Sequence, residues 1–130
     1  MANTYNIGNS TSQITLEADI NTVGLAATRA FVLDVAGTDP GTAVAHSNDA
    51  SGNLPPQPIG DFNLLKGKRL TVFTKISLTG SDATTRATEA QSVSGIYILS
   101  GGDDGTQTFT NTTSDYVDPN VFLNCLVDLQ

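Results

Sequence analysis

The stretch Val121-Phe122-Leu123-Asn124-Cys125-Leu126-Val127-Asp128-Leu129-Gln130 decides the fold of this chain. Every second residue from Val121 onward is apolar, and three of the intervening residues are polar. Because successive side chains of a β-strand point to opposite faces, this period of two predicts a strand with one buried face. The single cysteine, Cys125, lies on that face, and an apolar-flanked thiol of this kind is typical of a core residue rather than a nucleophile.

The same alternation recurs upstream, between segments rich in turn-forming residues. Besides the final strand, the pattern predicts strands at 4–8, 12–21, 28–35, 59–65, 69–79, 92–100 and 106–112. The Ala-rich residues 25–30 could instead form a single helical turn before the third of these strands. Residues 80–91 are polar and predict either a surface loop or a short helix that begins at Asp82. Seven or eight strands at this spacing predict an all-β fold, a two-sheet antiparallel β-sandwich of the jelly-roll or Greek-key type.

Length and composition predict one domain over residues 1–130. A chain of 130 residues lies in the single-domain range, and with only 6% aromatic residues its core must be mainly aliphatic. Residues 36–60 are rich in Gly, Pro, Asn, Asp and Ser, which predicts a long irregular loop. The three prolines of 54–58 exclude a central strand there, because proline lacks the N–H that a strand paired on both sides needs.

The charge of the chain is strongly acidic but unevenly distributed. Thirteen acidic and six basic residues give a net charge of −7, which disfavours nucleic acid as a partner. Four of the six basic residues lie close together in the sequence: Lys66, Lys68, Arg69 and Lys75. One interpretation is that they protect a hairpin edge from edge-to-edge pairing. The others are a contact patch for an acidic partner, including another copy of this chain, or for anionic lipid.

Three apolar residues are expected on strand faces that point away from the core: Val32, Phe73 and Phe122. In 25–35, the pattern places Phe31 and Leu33 inward and Val32 outward, and in 69–79 it places Phe73 outward. Large apolar residues on an outward face indicate an intersubunit surface, unless loops cover them. Residues 92–100 carry apolar side chains on both faces, which predicts a central strand covered from two sides.

Few residues suggest chemistry. Asp103 and Asp104 stand in the turn-like Gly101-Gly102-Asp103-Asp104-Gly105, where they would either bind calcium with acids from other loops or simply form a tight turn between strands. His46 is the only histidine, so a Ser-His-Asp or histidine-metal mechanism would have to use it, yet no nucleophile elbow or zinc-ligand spacing surrounds it. We therefore expect no enzymatic activity.

These patterns favour a structural or assembly protein that acts through protein-protein contacts. The expected partner is the chain itself or another subunit, in a larger particle of the phage-like or injection type. The alternative is a calcium-dependent lipid- or carbohydrate-binding β-sandwich module. No segment has the length and hydropathy of a membrane span or a secretory signal, so we expect synthesis in the cytoplasm, with later incorporation into a particle.

Overall fold

The structure is a computed structural model that describes residues 2–9, 12–35 and 41–130. These residues form ten β-strands and two helices, in the order β1 (Asn3–Tyr5), β2 (Ile14–Asn21), β3 (Leu25–Asp34), β4 (Thr42–His46), β5 (Leu54–Gly60), α1 (Phe62–Leu65), β6 (Lys68–Ser77), α2 (Ala83–Gln91), β7 (Ser94–Gly102), β8 (Gly105–Thr110), β9 (Thr113–Val117) and β10 (Asn120–Leu129). The all-β fold class is confirmed, whereas the predicted number of seven or eight strands is too low, because β4 and β9 show no alternation that would predict them.

The strands form two sheets. In the larger sheet, β10 pairs with β1 and β9 along one side, and the order then continues through β6 and β3 to β4. The smaller sheet has the order β5-β2-β7-β8. All these strand pairs are antiparallel except β1 with β10. The two-sheet antiparallel sandwich is therefore confirmed, and the chain passes repeatedly from one sheet to the other.

The final strand has the role that its alternation predicts. β10 lies inside the larger sheet and pairs with β6 from Asn120 opposite Ser77 to Asp128 opposite Arg69. Its odd-numbered side chains are at most 1% exposed: Val121, Leu123, Cys125, Val127 and Leu129. They face the buried side chains of the smaller sheet, so this single face of β10 runs along the whole core.

The core between the sheets contains one small polar network. Thr28 and Thr74, neighbours in the larger sheet, are buried, and their hydroxyl oxygens lie 2.8 Å apart. The hydroxyl of Tyr97 reaches Thr74 from the smaller sheet at 3.5 Å. A side chain at Gly95 would occupy the place of the Tyr97 hydroxyl, since a Cβ built there would be only 2.4 Å from that oxygen. The network thus gives each buried hydroxyl a partner, within the larger sheet for Thr28 and across the sandwich for Tyr97.

The expected irregular loop at 36–60 is wrong for its described part. Residues 36–40 lie outside the described residues, and the rest includes the strands β4 and β5. β5 pairs only with β2 and forms an edge of the smaller sheet. An edge strand needs hydrogen-bonding groups on one side only, so it tolerates Pro55, Pro56 and Pro58. The prediction that this segment is extended but not central is confirmed.

The outward orientation expected for Val32 is also wrong. Val32 is 7% exposed and packs in the core, whereas Phe31 and Leu33 lie half-buried on the outer face. Both faces of β3 carry apolar residues, so hydrophobicity alone leaves the orientation open. Arg29 resolves it, because an unpaired guanidinium cannot be buried at low cost, and Phe31 and Leu33 share the parity of Arg29.

The remaining elements are the two helices and the strand β9. α2 confirms the predicted helix, and the Asp82 side chain caps it by accepting a hydrogen bond from the Thr85 N–H. Its C-terminal part packs against the core near Val121 through Ala90, followed by Val93. Within the described residues, neither helix is long and apolar enough to cross a membrane. The strand β9 was not predicted, since its residues are exposed on both faces and show no alternation of burial.

Candidate functional site

The outer face of the larger sheet carries a cluster of apolar side chains. The rings of Phe73 and Phe122 stack with their centroids 6.0 Å apart and their planes inclined by 23°. Phe31, Thr71 and Leu126 form a row across β3, β6 and β10 beside them. All of these side chains are half-buried within their own chain, so each keeps part of its surface available to a partner.

Two basic side chains lie beside this cluster. We define the aromatic face as the surface formed by Arg29, Phe31, Phe73, Lys75, Phe122 and Leu126. Arg29 lies opposite Phe73 in the sheet register, and Lys75 lies opposite Phe122. Both cations are exposed, and no carboxylate of the described residues is within ion-pair distance of either.

Two carboxylates border the aromatic face. Asp128 accepts hydrogen bonds from Arg69, with the Arg69 Nε and Asp128 Oδ1 2.7 Å apart, and this bond raises the pKa of the guanidinium. Asp115, on β9, lies opposite Phe122. Since Arg69 and Asp128 neutralise each other, the charges that this face offers to a partner are those of Arg29 and Lys75 and, at its border, that of Asp115.

The outer face of the smaller sheet has the opposite charge. Glu17 lies opposite Ile98, and Asp19 lies opposite Ile96, which is 43% exposed. We call these four residues the acidic face. The strand β7 is thus central but covered on one side only, contrary to the expectation of cover on both. Next to Glu17 and Asp19 is a hollow of about 310 Å³, which Asp49 also lines.

The structure brings together some of the predicted interface residues and separates others. Phe73, Phe122, Arg69 and Lys75 all belong to the outer face of the larger sheet. The remaining three lie elsewhere: Val32, Lys66 and Lys68. Val32 is in the core. The Lys66 ammonium donates to the Asn9 side-chain oxygen at 2.7 Å. Lys68 lines a hollow of about 130 Å³ together with Leu64.

Sequence reasoning missed three members of the outer face, namely Arg29, Phe31 and Leu33. The signal was present in β3 itself, because a lone arginine between apolar residues marks the solvent side of a strand. Its separation of two residues from Phe31 then places that ring outward as well. The exposed Leu25, at 57%, continues the same parity at the other end of the strand.

Asp103 and Asp104 lie in the turn between β7 and β8, as one of the two interpretations predicts. The Asp104 carboxylate accepts hydrogen bonds from the backbone N–H of Asn6 at 2.9 Å and from its side-chain amide at 3.3 Å. The described residues contain no group of three or more His, Cys, Asp or Glu placed to hold a metal ion. Calcium binding at Asp103 and Asp104 stays a prediction without a further ligand from this structure.

The single histidine and the single cysteine lie in contrasting surroundings. His46 is exposed at the end of β4, beside a hollow of about 460 Å³ that Arg29 and Gln57 also line. Cys125 is fully buried, as predicted, and burial raises the pKa of its thiol to about 12. A thiol that stays protonated is a poor nucleophile.

The two outer faces are therefore the features of this molecule that bear most on function: one apolar and basic, the other apolar and acidic. They point in opposite directions, because each belongs to a different layer of the sandwich. Comparisons with known protein families, with curated protein sequences and with solved structures give no match to this chain.

Proposed function

We propose that this protein is a non-enzymatic assembly subunit in which the aromatic face of one copy binds the acidic face of the next. The observation that carries the proposal is the complementarity of the two faces. Arg29 and Lys75 lack carboxylate partners among the described residues, while Glu17 and Asp19 stand beside the exposed Ile96. Each face thus combines apolar area with charges that the other face neutralises.

Such a contact gains its affinity chiefly from the apolar cluster. Association would remove from water the remaining exposed area of Phe31, Phe73, Phe122 and Leu126, and aromatic residues at the centre of an interface are the usual source of binding energy. The charged residues at its border select the orientation and speed the encounter, rather than supply most of the affinity. The net charge of −7 opposes nonspecific association of copies, so a basic patch gives each copy one defined place that attracts the next.

Because the two faces lie on opposite sides of the molecule, the contact is head-to-tail. In a head-to-tail contact, each added copy leaves one face free to bind the next copy. Repetition of this contact builds a ring or a filament. A repeated subunit of a phage-like or injection-type particle has this requirement. The chain, made in the cytoplasm, would act after incorporation into such a particle.

Charge reversal tests the proposal. Lys75→Glu on the aromatic face and Asp19→Lys on the acidic face should each weaken self-association at least about tenfold, because each places like charges across the contact. The double variant should regain most of the lost association. Sedimentation velocity over a range of protein concentrations at low salt measures the effect, and added salt should weaken the wild-type contact.

Lys66→Glu is the matched control, since it makes the same charge change at an exposed position outside both faces. Equal weakening by Lys66→Glu and Lys75→Glu would show that net charge, not the aromatic face, controls association. A wild-type protein that stays monomeric at millimolar concentration would contradict the proposal outright.

A further inference from the structure

The open edges of the two sheets differ in how they are protected against pairing with another strand. Edge strands usually avoid such pairing by being short, or by carrying prolines, charges or bulges. In the smaller sheet, β5 contains three prolines and shifts register against β2. In the larger sheet, β1 has three residues, β4 is paired through a bulge, and β9 carries Asp115 at its centre. Each of these edges therefore has a recognised obstacle to pairing.

The strand β8 has no proline and no charge, and its one register shift against β7 lies at the turn end of the hairpin. Its six residues, Gly105-Thr106-Gln107-Thr108-Phe109-Thr110, include no charge and no proline. From Gln107 to Thr110 it pairs regularly with β7, and the register shift of this hairpin lies on the turn side of Leu99. Within the described part of the chain, the backbone of 106–110 makes no hydrogen bond outside this pairing. One whole side of the strand thus offers unpaired N–H and C=O groups.

We infer that β8 is a docking edge for the β8 strand of a second copy, paired antiparallel about a twofold axis. With Thr108 on the axis, Thr106 of one copy lies opposite Thr110 of the other, and Gln107 lies opposite Phe109. The two smaller sheets then join into one continuous sheet of eight strands, from the four in each copy. Main-chain hydrogen bonds supply the affinity, as in other cases of strand addition.

The strand's own sequence favours a second copy as the occupant. Antiparallel self-pairing brings β-branched Thr residues together on one face, which is a favourable combination in sheets. It opposes no charges, because the turn residues Asp103 and Asp104 of the two copies lie at opposite ends of the paired strands. The same operation on β9 would place Asp115 against its own copy, and like charges directly opposite each other destabilise a pair.

This contact uses the main-chain edge of the smaller sheet, not the side chains of the aromatic or acidic face, so it does not require the proposed function, although Thr108 lies opposite Ile98 of the acidic face. The two contacts are also different in symmetry. Pairing through β8 closes on itself in a twofold dimer, whereas the face contact continues from copy to copy. A particle that used both would grow from dimers.

A disulfide trap tests the edge directly. In Thr108→Cys, the introduced thiols of two copies would meet on the axis, where directly opposite residues have Cβ atoms about 4.5 to 5.5 Å apart, close to the span of a disulfide. We expect the covalent dimer to form under mild oxidation and to dominate on a non-reducing gel. The native Cys125 is buried and does not compete. Ser114→Cys, at an exposed position on the β9 edge, is the control and should stay mostly monomeric.

Charge at the axis provides the second test, made in the Lys75→Glu background so that the face contact is already weakened. There, Thr108→Lys should raise the dimer dissociation constant at least about tenfold, while Ser114→Lys should change it little. Cross-linking of Thr108→Cys that persists with Lys75→Glu supports the edge whatever the fate of the face contact. Equal cross-linking at positions 108 and 114, or no dimer at all in the Thr108→Cys variant, overturns the inference.

Discussion

Both faces of the larger sheet carry apolar side chains, but those on the inner face form the core and those on the outer face stay partly exposed. On β10, Leu123 points inward and is 0% exposed, while Leu126 points outward and is half-buried. On β3 the side chains of the two faces also differ in size. The inward residues Ala26 and Ala30 are small, whereas the large Phe31 lies on the outer face. The three phenylalanines of β3, β6 and β10 therefore lie on the outer face of the sheet and keep part of their surface in contact with water.

The largest effect should come from comparing the two leucines of β10. Leu123→Ala removes a fully buried side chain and leaves a cavity, so it should lower the free energy of unfolding by about 2 to 5 kcal/mol. Leu126→Ala should cost under about 1 kcal/mol in the monomer, because its side chain is already partly in contact with water. Urea unfolding at low protein concentration measures both. Equal losses would show that the outer face is as much core as the inner one.

The buried hydroxyl network offers the next test of the inner face. Thr74→Val deprives the hydroxyls of Thr28 and Tyr97 of their shared partner, and a buried hydroxyl without a partner costs about 1 to 3 kcal/mol. The double variant Thr28→Val with Thr74→Val should lose less than the sum of the single variants, because one of the orphaned hydroxyls is then gone. Chemical denaturation of the four proteins gives this coupling. Simple additivity would mean that the hydroxyls of Thr28 and Thr74 do not act together.

Alkaline pH sharpens the same contrast between inside and outside. Burial raises the pKa of Tyr97 to about 12. Since the folded state holds this proton more tightly than the unfolded chain does, the contribution of Tyr97 to stability is fully present below about pH 10 and falls between about pH 10 and 12, by up to about 1.4 kcal/mol per pH unit. Tyr97→Phe should reduce this slope, whereas Tyr116→Phe, at a 42% exposed residue, should change it less. Denaturation at stepwise higher pH compares them, and identical slopes would contradict the assignment.

Most of the fold was predictable because, within most single strands, the alternation of apolar and polar residues shows which face is buried. The alternation of 12–21, 69–79 and the final stretch gave strands with correct orientation from local sequence alone. Where both faces are apolar, as at Phe31 and Val32, or both are exposed, as in β9, the alternation disappears. Orientation or existence then depends on neighbouring strands, and the pattern fails for that reason.

The candidate site was predictable only in part, since it depends on which strands are neighbours. That Phe73 and Phe122 point outward follows from parity within each strand. Their stacking follows from the pairing of β6 with β10, which joins segments distant in sequence. Likewise, the basic residues from Lys66 to Lys75 are close in sequence, but the turn before β6 leaves Lys66 beside Asn9, away from the outer face. Sequence proximity therefore overestimated that cluster.

The smallest effect should come from the ion pair between α2 and the turn that joins β9 to β10. Arg86 of α2 donates to Asp118, with Nε and Oδ1 2.7 Å apart, and this hydrogen bond lowers the pKa of the carboxyl. A lowered pKa means that the pair stabilises the fold above the ordinary carboxyl range and that this stability is lost as pH falls through the folded-state value. Asp118→Asn should therefore lower Tm slightly at pH 7 and hardly at all near pH 2. The effect is small because water reaches both side chains, and a difference in Tm that stays constant with pH would show that the pair acts through packing instead of charge.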